Sequence, residues 1–233
     1  RGVPESFCAS LFSEAQNKDI AVSGLTLFES SIVLSARKAI DDSGISVADG
    51  NTVLILSTTK GNTDLTSPAD SAKRIAKYLN IPTEPIVVCN ACISGLAAVI
   101  LGKRLIEAGE YDYAIVCGAD RQGKFIISGF QSLKALSPVE CRPFDIERLG
   151  LNLGEAAATV VMSREKQSGD DWNIVSGAVR NDAYHVSAPS RKGEGLYRAM
   201  CRIVGDKSKD RLAFVNAHGT ATMFNDQMES VAL

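Results

Sequence analysis

The sequence predicts an α/β protein whose mostly parallel central sheet is covered on both faces by helices. Three observations carry this. Short, continuous apolar runs such as Val53-Leu54-Ile55-Leu56 read as strands buried on both faces. Between such runs lie segments with apolar residues at helical spacing, and Gly44 and Gly109 stop two of them. The regular alternation of the two kinds of segment implies crossover connections between parallel strands.

In chain order, residues 4–16 carry Phe7, Leu11 and Phe12 on one helical stripe. Residues 31–43 place Ile32, Val33, Ala36, Ala39 and Ile40 on one face of a second helix. Residues 52–56 form a strand. Ser67-Pro68 opens another helix, with a hydroxyl cap followed by a proline that needs no N–H partner in the first turn. Residues 86–88 form a strand that runs into Cys92. Residues 96–108 form a helix apolar nearly all round, which predicts full burial. Residues 113–117, 156–162, 172–179 and 212–215 read as strands, and residues 195–204 as a helix. Residues 120–154 contain glycines and prolines in an irregular pattern, which reads as a long functional or interfacial loop. The predicted division is a first half over residues 1–163 and the start of a second half over residues 164–233.

Bulk properties exclude several classes. The 233 residues are 45% hydrophobic and 22% charged, which excludes a disordered chain. A net charge of −2 gives no footprint for nucleic acid. No apolar run is long enough to span a bilayer. The six cysteines are Cys8, Cys89, Cys92, Cys117, Cys141 and Cys201. Five sit among apolar or small neighbours and read as buried thiols, Cys89 among them. A secreted disulfide framework does not fit this size and spacing, so the compartment reads as reducing and the location as cytoplasmic. The Cys89-x-x-Cys92 spacing also fits a redox or zinc motif. No second cysteine pair completes a zinc site, so the expectation is no metal.

The chemistry concentrates in two segments. In Val87-Val88-Cys89-Asn90-Ala91-Cys92-Ile93-Ser94-Gly95 an apolar run ends in a cysteine just before a helix. A helix N-terminus favours the anionic form of sulfur, which is the nucleophilic form. Asn216-Ala217-His218-Gly219-Thr220-Ala221-Thr222 supplies an imidazole just after a predicted strand. In open parallel sheets, sites lie beyond the carboxyl ends of strands. A thiolate both attacks and leaves well, so the pair points to acyl-thioester chemistry.

These motifs resemble those of the β-ketoacyl synthases, the condensing enzymes of the thiolase superfamily. Ala91-Cys92-Ile93-Ser94-Gly95 looks like the family's nucleophile turn, and Gly118-Ala119-Asp120 is similar to its strand end. Gly129-Phe130 through Ala135-Leu136-Ser137 resembles the loop that follows. Arg142-Pro143-Phe144-Asp145, with Arg148 and Gly154-Glu155, matches the Arg-Pro-Phe-Asp segment. Asn181-Asp182-Ala183-Tyr184-His185 and Ala188-Pro189 match a further motif. Residues 216–222 with Asn225-Asp226 and Glu229 match the histidine motif.

The resemblance implies a thiolase-like layered fold with the nucleophile at a buried helix N-terminus and an incomplete second half. It implies a 3-oxoacyl-[acyl carrier protein] synthase in fatty acid or polyketide-type synthesis. Cys92 would accept an acyl group. His218 would hydrogen-bond the malonyl thioester oxygen as an enolate develops. Thr220 and Thr222 would bind the phosphopantetheine arm, and Glu229 would pair with a site lysine. Substrates would arrive on acyl carrier protein, with no covalently bound cofactor. His185 reads as pocket-lining, and Arg142, Asp145 and Arg148 as an ion-pair cluster. The family's dimers pair a strand across a two-fold axis, which would here be residues 113–117, giving a homodimer or heterodimer.

Two alternatives stay open. One is a non-catalytic partner subunit of the chain-length-factor type, which usually lacks the nucleophilic cysteine. The other is a thiolase using coenzyme A. The family also has a lysine, a second histidine and a Gly-Phe-Gly-Gly turn that these residues do not contain. The expectation is therefore a part of a longer protein, inactive in condensation by itself.

Overall fold

The computed structural model describes residues 12–62, 66–166, 168–185, 188–204 and 212–233. Cys8, and Phe7 and Leu11 of the first predicted helix, lie outside them. The chain divides into two units, one made of Leu11–Arg121 with Glu155–Val175, the other containing Gln122–Gly154 and Ser176–Leu233.

The first unit is built on a four-stranded sheet. Its strands are β1 (Thr52–Ser57), β2 (Ile86–Val88), β3 (Tyr113–Asp120) and β4 (Ala156–Ser163), in the order β2-β1-β3-β4. The β1 strand pairs in parallel with both β2 and β3, and β4 runs antiparallel to β3. Four helices belong to this unit: α1 (Glu14–Ile20), α2 (Leu27–Ser43), α3 (Pro68–Tyr78) and α4 (Ser94–Glu107).

Strand alternation divides the core in two. Leu54, Leu56, Ile115, Cys117 and Ala119 face Phe28, Ile32, Val33 and Ala36 of α2 and Ala72, Ile75 and Ala76 of α3. Val53, Ile55, Ala114, Val116 and Met162 face Ala98 and Ile106 of α4. Successive residues of a strand point to opposite faces, so a strand in the middle of three layers must be apolar throughout. Every residue of β1 is buried, as its uninterrupted apolar run requires. Gly102 lets α4 approach closely, because an added Cβ there would lie 3.2 Å from Ala114 and 3.4 Å from Ile55.

Helix ends follow local chemistry. Ser13 and Thr26 each make reciprocal capping boxes, with Gln16 and Glu29 respectively. Gly44 ends α2 in the left-handed region at φ 67°, where a side chain would be strained. Ser67 caps α3 through Asp70 N–H, with Pro68 in the first turn.

Four expectations are corrected. Residues 113–117 cannot pair across a two-fold axis, because β3 has β1 on one side and β4 on the other. The sheet edges among the described residues are β2 and β4. Residues 172–179 and 212–215 are not strands: Trp172, Val175 and Phe214 are 92%, 81% and 74% exposed. Apolar composition makes a strand only where a neighbour takes up its backbone groups, and the described residues supply none. Helix α4 is not buried all round, with Leu96 63% exposed.

The second unit holds α5 (Lys124–Ser132), α6 (Glu194–Val204) and α7 (Met223–Ala232). The α5 helix lies inside the stretch expected to be loop. Gly123 gives it no side-chain cap, and Gly129 interrupts its pattern, so both usual helix signals are missing. Gly150, at φ 143°, sits against the Ala135 carbonyl, a place only a residue without Cβ can occupy.

Candidate active site

In the first unit, β2 ends at Val88 and the chain turns through Cys89, Asn90, Ala91, Cys92 and Ile93 into α4. Ala91 takes a left-handed conformation at φ 48°, a strained choice for a residue with a Cβ. What holds it is Ser94, 3% exposed. Its hydroxyl accepts the Asn90 N–H at 2.7 Å and donates to the Ala91 carbonyl at 2.6 Å. The Ser94 N–H donates to the same carbonyl at 3.1 Å. Cys92 is exposed and stands two residues before the first helical residue. Ile93 provides no side-chain cap, so no cap side chain offsets the partial positive charge of the first turn, which Cys92 precedes. Ser94→Ala is expected to lower stability by about 1–2 kcal/mol, the cost of unpairing a turn N–H, read as a lower urea midpoint at unchanged slope.

The carboxyl ends of the neighbouring strands are tied to this turn. Asp120, the last residue of β3, accepts from the Thr58 hydroxyl at 3.0 Å, the Thr59 N–H at 3.1 Å and the Thr59 hydroxyl at 2.9 Å. Lys60, 8% exposed at its side chain, pairs with it at 3.5 Å. The Thr59 carbonyl accepts the Cys89 thiol at 3.2 Å. Sequence reading noted Asp120 only as a motif member and missed Thr58-Thr59-Lys60. The available signal was a hydroxyl- and lysine-bearing turn following one parallel strand, with a carboxylate closing the next.

Cys89 is exposed, not core, as are Cys92 and Cys201. Cys141 is half-buried. Among the described cysteines only Cys117 fits the buried reading, and burial pushes its thiol up to about 12. It is an inert core residue at any physiological pH.

In the second unit, residues 216–222 form a loop leading into α7. Glu229 is 4% exposed, so it is no solvated helix residue. Its carboxylate accepts the His218 N–H at 2.6 Å and the Gly219 N–H at 2.9 Å. Asp226 lies three residues earlier on the same face of α7 and is 1% exposed. It accepts the Phe144 N–H at 2.7 Å and pairs with Arg148 at 3.6 Å. The Thr220 and Thr222 hydroxyls are bonded to each other at 2.8 Å, and Thr220 reaches Asp226 at 3.5 Å. Gly219 has φ 55°, and an added Cβ would meet Pro143 at 3.1 Å. His218 itself is exposed.

The second unit therefore brings His218, Thr220, Thr222 and Glu229 together around one helix start, while Cys92 belongs to the first unit. The expected Arg142–Asp145–Arg148 cluster is arranged differently. Arg148 pairs with Asp226 and donates to the Asp145 carbonyl, Arg142 pairs with Glu147 at 3.5 Å, and the Asp145 carboxylate takes the Glu147 N–H. Asp226 is the hub that sequence reading missed.

Asp182 plays a similar part at α6. The Ser190 hydroxyl and N–H, and more weakly the Gly195 N–H, donate to its carboxylate and hold its pKa below the usual range. A depressed carboxylate contributes stability that is present above its unfolded pKa and lost as pH falls through its folded value. The stability gap between the wild type and Asp182→Asn is thus expected to be widest near neutral pH. It should close below the ordinary carboxylate range, as urea midpoints measured across pH would show.

Among the described residues no helix is long and apolar enough to cross a membrane, and no three His, Cys, Asp or Glu side chains gather as a metal site.

Comparison with known proteins agrees with this architecture. Residues 33–168 match the family model for the β-ketoacyl synthase N-terminal domain, and residues 173–233 that for its C-terminal domain. Nodulation protein E of Rhizobium meliloti is 27% identical across 86% of this chain and 58% of its own length. The 3-oxoacyl-[acyl-carrier-protein] synthase 2 of Rhizobium meliloti (strain 1021) is 32% identical across 58% of this chain and 36% of its own length. The chain thus spans about half the length, or less, of the curated relatives it matches. A ketosynthase (ApeO) solved with its chain length factor (ApeC) from Xenorhabdus doucetiae is 30% identical at a TM-score of 0.70, covering 86% of this chain and 56% of that one. With both domain models matched in order, and a thiolase-like layered sheet delivering a cysteine at the start of α4, this chain belongs to the β-ketoacyl synthase family.

Proposed function

We propose that the protein carrying this chain is a 3-oxoacyl-[acyl carrier protein] synthase that performs decarboxylative Claisen condensation in fatty acid or polyketide-type synthesis. The observation that carries this is the Cys92 turn. An exposed thiol stands beyond the end of a parallel strand, before an uncapped helix, on a backbone clamped by Ser94. A relative at 32% identity that bears the synthase name supports the carrier-borne substrate.

In this reading the Cys92 sulfur attacks the acyl thioester, and the carrier's thiol leaves. Malonyl-carrier then loses carbon dioxide, and its enolate carbon attacks the Cys92 thioester. A carbon–carbon bond forms as the carbon–sulfur bond breaks, and the thiolate is returned. Decarboxylation makes the carbanion without a strong base. His218 donates to the thioester oxygen as charge develops there, a contribution of about 3 kcal/mol for a well-placed donor. Glu229 holds the His218-Gly219 backbone in register through two N–H groups, and Thr220 and Thr222 offer hydroxyls to the phosphopantetheine arm. The functional division falls near residues 163 and 164.

The partners in this proposal are acyl carrier protein and a second synthase-like subunit. A homodimer or heterodimer would form along a sheet edge, which among the described residues means β2 or β4. A ketosynthase at 30% identity solved with its chain length factor favours keeping the heterodimer. The thiols at Cys89, Cys117, Cys141 and Cys201 support a reducing, cytoplasmic setting.

Intact-mass measurement of the whole protein after incubation with an acyl-carrier thioester tests the reading. An acyl adduct on the peptide containing Cys92 is the expected result. Absence of any adduct would favour a non-catalytic partner subunit. Cleavage of acetoacetyl-CoA with no use of malonyl-carrier would favour a thiolase.

A further inference from the structure

We propose that Cys89 is a resolving thiol for Cys92, so that the two close a reversible disulfide which takes the nucleophile out of acyl transfer when hydrogen peroxide or a similar peroxide is present. The inference rests on the reading of Cys92 as acyl acceptor, and it adds a modification site that this reading does not need.

Three observations support it. First, both cysteines are exposed, although sequence reading assigned Cys89 to the core. Second, only Asn90 and Ala91 separate them, and the turn that follows, from Ala91 to Ser94, is closed by the Ser94 hydrogen bonds. Three residues fully extended span roughly 10 Å between Cα atoms. Ala91, left-handed at φ 48°, takes that path out of full extension, and a disulfide needs Cα atoms roughly 4.4–6.8 Å apart. Third, the pair sits at the entry to a 14-residue helix without a side-chain cap, a setting that favours thiolate character in Cys-x-x-Cys pairs. Among the described residues no three potential metal ligands gather, so the pair is not part of a described metal cluster.

The two sulfurs have different environments. Cys92 stands nearer the helix start and reacts first. Cys89 donates its S–H to the Thr59 carbonyl at 3.2 Å, which fixes its side chain beside the turn. The Cys92 thiolate attacks one peroxide oxygen, the O–O bond breaks, and hydroxide leaves with the electron pair to become water on protonation. Sulfur is oxidised to a sulfenic acid and the peroxide is reduced. The Cys89 sulfur then attacks the Cys92 sulfur. The S–S bond forms, the S–O bond breaks, and the departing hydroxide takes the Cys89 proton and leaves as water. A dithiol reductant reverses the second product by thiol–disulfide exchange. Without a neighbour, a sulfenic acid proceeds to sulfinic acid, which such reductants do not reverse.

The test uses the whole protein, treated with hydrogen peroxide, quenched with an alkylating agent, and digested with trypsin. The peptide from Tyr78 to Lys103 holds both cysteines. It is expected two hydrogens lighter and resistant to alkylation, and it should regain both alkylation sites after dithiothreitol. Acyl loading should fall with the disulfide fraction and return with the reductant. In Cys89→Ser, loading before oxidation should match the wild type, whereas peroxide should cause an irreversible loss with sulfinic acid on Cys92. The proposal is overturned if both thiols of the native protein stay open to alkylation, or if Cys92 reaches sulfinic acid equally fast with and without Cys89. The wild-type peptide map alone decides this should the variant fail to fold. A disulfide that forms in a protein whose reduced state accepts no acyl group would leave the pairing standing and overturn the acyl-transfer reading instead.

Discussion

Cys92→Ala is expected to abolish acyl loading and to lower the condensation rate at least about 10³-fold, the scale on which loss of a covalent nucleophile is felt. The reason is stoichiometric as well as energetic. The acyl group crosses from carrier to product only by way of the sulfur, so alanine leaves no intermediate for the enolate to attack. The serine variant should not restore the rate. A hydroxyl keeps the shape, but at neutral pH it is hardly ionised, and the helix end that favours a thiolate cannot bring an alkoxide into range. The decarboxylation half of the reaction draws on His218 in the proposed mechanism, so Cys92→Ala should still release carbon dioxide from malonyl-carrier. Release measured with labelled malonyl groups, beside a condensation assay on the same preparation, separates the two steps. Condensation by the alanine variant at even a tenth of the wild-type rate would remove Cys92 from its role. Folding should be little changed, because Cys92 is exposed and the turn is held by Ser94.

Glu229→Ala is expected to cost about 2–4 kcal/mol of stability, since two N–H groups lose a charged acceptor. Glu229 is 4% exposed and receives the His218 and Gly219 N–H groups at 2.6 and 2.9 Å. Few single side chains in this unit hold as much backbone in place. The His218-Gly219 step includes a left-handed glycine pressed against Pro143, a conformation that an unpinned loop would leave. Activity should fall more steeply than stability, because the loop carrying the histidine would lose its anchor to α7. Glu229→Gln should lie between wild type and alanine: one amide oxygen can still accept, while its NH₂ group faces a second donor. Urea midpoints for the three proteins, with kcat and KM measured under folded conditions, test this. A stable, fully active Glu229→Ala would show that the two hydrogen bonds do not position the loop.

Much of the first unit was legible from the chain. The strands β1, β2 and β3 were readable because a strand between two helical layers has no polar face, and its run of apolar residues is unmistakable. Helix α2 was readable from its apolar stripe and its Gly44 stop, though not its start at Leu27 behind the Thr26 cap, and α3 from its Ser67-Pro68 opening and apolar stripe. The α5 helix was not, since Gly123 and Gly129 remove its cap and its period. Residues 172–179 and 212–215 looked like strands, yet a strand exists only through a partner, and partners are not encoded locally. The place of β3 inside the sheet, with β4 antiparallel beside it, was likewise invisible, because pairing order depends on which edges meet in space.

The same boundary runs through the candidate site. Cys92 before a helix was a local pattern, and the order of the motifs, through the family resemblance, singled out His218, Thr220, Thr222 and Glu229 as candidates, although the strand read ahead of the histidine is absent. Tertiary structure decided what those residues touch. It made Glu229 a buried clamp on the histidine loop, Asp226 the hub joining Phe144, Arg148 and Thr220, Ser94 the lock on the nucleophile turn, and Cys89 an exposed neighbour. Each of these depends on hydrogen bonds or burial set by where the chain folds back, and the bonds of Asp226 to Phe144 and Arg148 join segments far apart in sequence. A linear pattern carries the identity of such groups but not the distance between them.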